Sequence, residues 1–309
     1  MNPDTKLTLK QIKVICARHD IPYSHHERIT TGFSHEVHKL NDDMVIKIFN
    51  NYDKQDERRF KTESAVLASN LPFKKPRLIA SSDKSEEIDR NYIIMSFVPG
   101  ISLGSNWHLA TDTQRETLIQ DICQSLKVIN HINPSDLTLT NAESWGASLK
   151  SKGKDLVAKL KSKNIIDELT ARKTLRKIES SLGIFANDHV YPVYWDIHFD
   201  NFIVNENFKL QAIIDLENVE LTTLDYPLFV IQKQTDEPEK YLREEDEQYA
   251  DKKDYAKLKS WYKKYYPEMF EFENLDTRLQ IYQLLDALHL LVDWSHVKSL
   301  NAKLYRLIS

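Results

Sequence analysis

The segment Tyr194-Trp195-Asp196-Ile197-His198-Phe199-Asp200-Asn201 is followed by Ile213-Ile214-Asp215-Leu216-Glu217, whose Asp lies fourteen residues after that Asn. Apolar runs surround both: Val190 to Trp195 leads in, Phe202-Ile203-Val204 leads out, and Leu210 to Ile214 runs up to Asp215, with Asn205-Glu206-Asn207 between the last two. Such runs read as short buried strands, and Asn-Glu-Asn as the turn of a hairpin. The fold must therefore bury a loop that carries Asp196 and Asn201 beside a hairpin that ends at Asp215. Side chains at the ends of strands are held rigidly, which suits groups that position a reacting molecule.

An Asp five residues before an Asn, with a second Asp after a strand, fits phosphoryl transfer. That chemistry passes through a loose, charge-rich transition state and asks the protein for an aligned acceptor and cations over phosphate oxygens. Asp196 would hold the acceptor hydroxyl, and Asn201, Asp215 and Glu217 would supply the hard oxygen ligands that Mg²⁺ takes. Asp196 would orient first and accept the proton late, because a carboxylate near pKa 3.9 does not deprotonate a hydroxyl near about 15.7 unaided. Taken singly, each of these residues fits a turn or a strand end equally well. Their order, with strands between, is what points to chemistry.

The nucleotide half lies upstream. Asp43-Met44-Val45-Ile46-Lys47-Ile48-Phe49 reads as a strand with one Lys in apolar company, and Lys47 is the candidate cation for the nucleotide phosphates. Phe60, Glu63, Ser64 and Leu67 share one face of a helix that follows the polar stretch Asn50 to Arg59. Glu63 on that face could pair with Lys47 and aim its ammonium, although a surface Glu is an equal reading. Thr30 to Val37 reads as a turn between two strands, with backbone N–H groups and the Ser34 hydroxyl as phosphate donors, yet its single Gly matches no glycine-rich signature. Asn91 to Phe97 is a buried strand that ends in the hinge Val98-Pro99-Gly100, where backbone groups of Ser96, Phe97 and Val98 could meet an adenine edge. An ordinary strand ending in a turn accounts for the same residues.

With these elements in order, the chain resembles the aminoglycoside phosphotransferase and choline kinase-like family. Asp196-Ile197-His198-Phe199-Asp200-Asn201 is similar to the family's H-G-D-x-H-x-x-N loop, and Ile213-Ile214-Asp215-Leu216-Glu217 to its I-D-x-E/D element. Lys47, Glu63, Met95 to Gly100 and Asp225-Tyr226-Pro227 are weaker carriers, so the likeness runs from about Gly32 to Pro227. The resemblance implies an α+β, bilobal protein kinase-like fold, with a small sheet-and-helix N-lobe and a larger, mainly helical C-lobe. It also implies Asp196 as the catalytic Asp, Asn201 and Asp215 as Mg²⁺ ligands, and Lys47 as the ATP-phosphate Lys. Tyr194 stands where the family usually has His and Trp195 where it usually has Gly, which keeps a nucleotide-binding scaffold without turnover as a rival. Asp-Leu-Glu in place of D-F-G, and no A-P-E element, disfavour a protein substrate.

With 309 residues, 41% of them hydrophobic, the chain has material for two lobes, divided at Pro99-Gly100 into residues 1–97 for the nucleotide and 98–309 for catalysis and the acceptor. Thr113 to Ile132, Leu156 to Leu182, Glu239 to Tyr266 and Thr277 to Leu300 have helical spacing. No apolar run is long enough to span a bilayer, Met1 to Arg18 carries charge throughout, and the net charge is −4, so the reading is cytoplasmic, without membrane or nucleic acid. Cys16 and Cys123 are expected to be reduced and structural. Thr235 to Asp254 holds nine acids against four bases, which would suit a cationic alcohol, as in an aminoglycoside or choline; a solvated helix face explains it too. The aromatic group Trp261, Tyr262, Tyr265, Tyr266 and Phe270 reads first as core, and Asp286 as either an acceptor ligand or half of a helix–helix pair. The expected cofactors are ATP, with GTP left open, and Mg²⁺, and the partner is a small-molecule hydroxyl acceptor: an aminoglycoside first, then choline, an amino alcohol or a sugar.

Overall fold

A computed structural model describes residues 6–30, 35–50, 54–84, 88–137 and 144–309. The N-terminal part opens with α1 (Leu9–Arg18), which Thr8 starts through a capping box with Gln11. Then follow β1 (His26–Ile29), β2 (Glu36–Leu40), β3 (Met44–Ile48), α2 (Lys54–Ala68), β4 (Leu78–Ser82) and β5 (Tyr92–Ser96). The five strands form one antiparallel sheet in the order β1-β2-β3-β5-β4. Alternation along β3 sends Ile46 and Ile48 to one face, where they pack with Tyr92 and Ile94 under Ile12, Ile15 and Cys16 of α1. Phe49, Ile93 and Met95 face the other way, toward Phe60, Val66 and Leu67 of α2. Lys47, between Ile46 and Ile48, shares that second face, so the pleat itself turns the ammonium toward α2. The helix begins at Lys54, within the stretch the sequence reads as a polar connection.

At the hinge, Gly100 has φ +152°, and a Cβ there would meet Val204 O at 2.5 Å, so this position requires glycine. The chain then pairs β6 (Ile101–Ser102) with β8 (Phe202–Val204), which in turn pairs with β9 (Leu210–Ile213). Between them come α3 (Leu103–Asn106), α4 (Asp112–Asn130), α5 (Trp145–Ser162), α6 (Glu168–Ser181) and β7 (Tyr191–Tyr194); β10 (Val219–Thr222) returns to pair with β7. The remainder is helical: α7 (Leu228–Asp236), α8 (Lys252–Tyr255), α9 (Leu258–Tyr265), α10 (Leu275–Asp293) and α11 (Lys298–Ile308).

Three of the helical readings need correction. Leu156 to Leu182 is two helices, because Asn164 takes a left-handed φ of +54° and Asp167 caps the start of α6 through Thr170 N–H. Glu239 to Tyr266 is mostly short 3₁₀ turns and the one-turn α8 before α9, with Glu244–Tyr249 carrying four acids in its first turn and no buried residue to hold a longer helix against the core. The last helix stops at Asp293 and restarts at Lys298. Trp261, Tyr262 and Tyr266 are buried in the main core, as expected of them. Cys16 and Cys123 are free and buried. No helix among the described residues is long and apolar enough to cross a membrane.

Candidate active site

Lys47 lies at the centre of the site. Its Nζ donates to Glu63 Oε2 and Glu217 Oε2, each at 2.7 Å, and to Asp215 Oδ1. Glu63 reaches it from α2 and its other oxygen accepts from Leu216 N–H at 3.2 Å, so one carboxylate ties β3 to the segment after β9. Asp215 takes the left-handed conformation, φ +57° and ψ +52°, a bend that Asp tolerates better than most residues. Burial alone would lower Lys47, but Asp215 foremost and then Glu217 and Glu63 hold its ammonium well above the ordinary lysine range. Burial pushes Glu63 up against the pull of Lys47, whereas Lys47 and His35 overcome burial at Glu217 and hold it well below the usual carboxylate range.

His35 is a member of this cluster that sequence reasoning missed. Its Nε2 lies 2.7 Å from Glu217 Oε2, both side chains are buried, and its ring rests on Phe49 at 4.5 Å. The neighbouring Ser34, a predicted phosphate donor, lies outside the described residues.

Asp196 sits in the loop between β7 and β8. Its Oδ2 accepts from Asn218 Nδ2 at 3.0 Å, and His198 Nε2 lies 3.4 Å from its Oδ1. Burial raises the Asp196 carboxyl; His198 opposes the rise and Asp215 adds to it. Asn201 donates Nδ2 to Asp196 O at 2.9 Å, which folds the loop back on itself, and accepts Ile214 N–H on its own carbonyl at 2.9 Å, which fastens the loop to the Asp215 segment. Asp200 accepts from Ser102 Oγ at 2.5 Å, and a Cβ on Gly104 would strike the same carboxylate. Asn218 was not foreseen either; its sign in the sequence is a polar amide placed directly before the apolar start of β10.

The two departures beside Asp196 have structural partners. Tyr194 is buried and donates its hydroxyl to Ile214 O at 3.2 Å; burial and Asp196 keep that hydroxyl protonated, well above the ordinary tyrosine range. Trp195 is half-buried, with its ring 5.9 Å from Tyr226 and 6.2 Å from Phe229, and its Nε1 is buried without a hydrogen-bond partner among the described residues.

At the hinge, Ser96 N–H donates to Arg77 O and Phe97 N–H to Asp43 O, and Ser96 Oγ accepts from Arg77 N–H. These groups are thus committed within the protein, and Val98 is the one of the three whose N–H has no partner among the described residues. Asp225 also belongs to the frame and not to the opening: it is fully buried and held by Arg278 Nε at 2.6 Å and by Tyr282 Oη. Asp286 is paired with Lys233 at 2.8 Å, the helix–helix alternative of its two readings.

The carboxylates of Glu63, Asp215 and Glu217 have oxygens within 4.8 Å of one another, making the one such acidic or metal-ligand group among the described residues. Three carboxylates around Lys47, with Arg59 Nε 3.8 Å from Glu217 Oε1, present hard oxygen donors of the kind that suit a divalent cation. Asn201, with Nδ2 committed to Asp196 O, has its amide oxygen as the atom suited to such a cation.

A family model described as the phosphotransferase enzyme family matches residues 25–261. The chain belongs to this family, the aminoglycoside phosphotransferase and choline kinase-like family that its motifs resemble. Solved structures show the same two-lobed kinase-like fold: the GDP complex of wild-type aminoglycoside 2'-phosphotransferase-IIIa superposes with a TM-score of 0.68 at 15% identity, over 98% of this chain and 99% of that one. The streptomycin–ATP ternary complex of APH(2'')-IIa gives 0.69 at 14%, over 97% of each chain. A thermostable mutant of aminoglycoside phosphotransferase APH(4)-Ia with ADP and hygromycin B gives 0.64 at 12%, over 96% of this chain and 97% of that one. No curated protein matches the chain.

Proposed function

We propose that the protein transfers the γ-phosphate of ATP to a hydroxyl of a small molecule, in the presence of Mg²⁺. The observation that carries this reading is the meeting of Asp196 and the Lys47–Asp215–Glu217 cluster across one loop, joined by the Asn201–Ile214 backbone bond. Residues 1–97 form the nucleotide lobe in this reading and 98–309 the catalytic and acceptor lobe, a division supported by a sheet whose last strand ends at Ser96. Lys47 binds the nucleotide phosphates and Glu63 aims it; the adenine edge meets the hinge, where Val98 has the free N–H. Asp215, Glu217 and Asn201 hold Mg²⁺, which when bound neutralises charge on the phosphate oxygens. Asp196, oriented by Asn218, accepts the hydrogen bond of the acceptor hydroxyl and aligns its oxygen for in-line attack. Its raised pKa brings it nearer to a group that takes the proton as the new P–O bond forms.

Aminoglycosides, which several fold neighbours hold, head the acceptor panel, followed by choline, amino alcohols and sugars. The cavity among α6, α7, α10 and α11 carries five bases and four acids on its wall, a mixed lining that does not single out a polycation among these acceptors. GTP is the alternative donor to assay, given GDP complexes among the neighbours. The test is Mg-ATP turnover by wild type and Asp196→Ala against this panel, with mass spectrometry of each acceptor. A phosphate gained by one class only with the wild type supports the reading. Nucleotide binding without product from any acceptor would replace it with a scaffold that does not turn over.

A further inference from the structure

Glu217 is held at short range by two side chains, and one of them has no other carboxylate to serve. Its Oε2 lies 2.7 Å from Lys47 Nζ and 2.7 Å from His35 Nε2, while Arg59 Nε stands 3.8 Å from its Oε1. Lys47 is shared with Glu63 and Asp215, and in the reading above it turns to the nucleotide phosphates. The Arg59 contact exceeds hydrogen-bond length. Among the described residues His35 meets no carboxylate but Glu217, and its Nδ1 has no hydrogen-bond partner.

The pleat of the sheet brings His35 to this place. Val37 pairs with Lys47 and shares its face; His35, two residues earlier, continues that face, whereas Glu36 between them turns toward α1 and accepts from Leu7 N–H at 2.8 Å. The His35 ring rests on Phe49 at 4.5 Å, and the side chains of His35 and Glu217 are each 3% exposed, so water is not at hand to take over from either. An ionised carboxylate only accepts, so at 2.7 Å the ring carries its proton on Nε2. Oε2 is thereby occupied. Oε1 accepts no hydrogen bond among the described residues and is the oxygen left for a cation.

Resting on the phosphotransferase reading, we infer that His35 is a positioning residue, which holds Glu217 by Oε2 while Lys47 is engaged with phosphate and so presents Oε1 to the divalent cation. It acts through Glu217 and touches neither nucleotide nor metal. Partners of this kind fix the orientation of a ligating carboxylate, and their loss typically weakens metal binding by about tenfold to a hundredfold.

The test is calorimetric binding of the β,γ-imido analogue of ATP to the wild-type chain, His35→Leu and His35→Gln, each with excess Mg²⁺ and with EDTA. Leu covers Phe49 without an N–H, and Gln restores an N–H donor on a side chain of similar reach. The wild type is expected to bind the analogue more tightly with Mg²⁺, by a margin that shrinks about tenfold or more in His35→Leu and is largely kept in His35→Gln. Affinity in EDTA is expected to be the same in all three. A wild type without that margin, or a margin that His35→Leu leaves intact, would overturn the inference; so would an equal loss in His35→Gln or a matching loss in EDTA, either of which assigns His35 to packing. Because binding is read apart from transfer, the two readings fail separately. Asp196-dependent transfer with a margin indifferent to His35 removes this inference alone, whereas a His35-dependent margin without transfer to any acceptor sustains it and removes the phosphotransferase reading.

Discussion

Asn218 shows how much a single amide can decide. It donates to Oδ2 of Asp196, whose Oδ1 has His198 at 3.4 Å, and it stands at the end of the 3₁₀ turn that follows Asp215. Movement of the turn after Asp215 therefore reaches the Asp196 carboxylate directly through this hydrogen bond. Asn218→Ala is expected to lower kcat about tenfold to a hundredfold, the size of effect that misaligned reacting groups produce, with the KM for nucleotide little changed. Steady-state kinetics that vary nucleotide and acceptor in turn check this, and an equal rise in the nucleotide KM would assign Asn218 to binding instead.

At the scale of elements, the loop between β7 and β8 is wedged in place by α3. Gly104 makes room for Asp200, whose carboxylate also accepts from Ser102 at the start of that helix. Gly104→Ala is expected to displace Asp200 and to cost about 1–3 kcal/mol by overpacking, read as a lower melting temperature together with lower turnover. This contact joins residues nearly a hundred positions apart and left no mark in the sequence, since neither Gly104 nor Asp200 stands in a pattern that names its partner. What was legible had local signals. The hairpin of β8 and β9 showed its apolar runs and its turn residues, β3 showed a Lys among alternating apolar residues, and α2 showed Glu63 on its apolar face. The site was legible wherever a polar residue interrupted such a run, as at Asp196, Asn201, Asp215 and Glu217. His35 had no such contrast, because it lies among polar residues in the sequence, and its tie to Glu217 depends on how the start of β2 and the segment after Asp215 meet in space. The acidic stretch after Thr235 was misjudged as a long helix because periodicity does not count how little of that segment finds a core to cover.

For the whole molecule, one tie between the parts runs through Glu220. This carboxylate on β10 takes Arg58 of α2 at 2.8 Å and Lys152 of α5 at 3.2 Å, joining α2 to the helical region. Burial would raise it, but Lys152 and Arg58 hold it at about 2, below its ordinary 4.5. A depressed carboxyl pKa contributes stability that is present above the unfolded value and lost as pH falls through the folded one. Glu220→Gln is therefore expected to lower stability at neutral pH by roughly 3 kcal/mol, with the gap to wild type closing as pH drops from 4.5 toward 2. Denaturant unfolding at a series of pH values reads this directly, and a gap independent of pH would show that the pair contributes packing and not charge.

Trp195 gives the molecule an optical signal beside Asp196. Trp107 and Trp145 donate their indole N–H groups to protein oxygens, and Trp294 is exposed, whereas the Trp195 N–H is buried without an acceptor one residue from Asp196. An indole shielded from water and unbonded at nitrogen emits toward the blue, so the difference spectrum between wild type and Trp195→Phe isolates a short-wavelength component. A molecule bound at Asp196 changes the field around that ring and is expected to shift this component, which the difference spectrum separates from the emission of Trp107 and Trp145 nearby. Occupancy of the site can then be followed by light in the absence of any turnover.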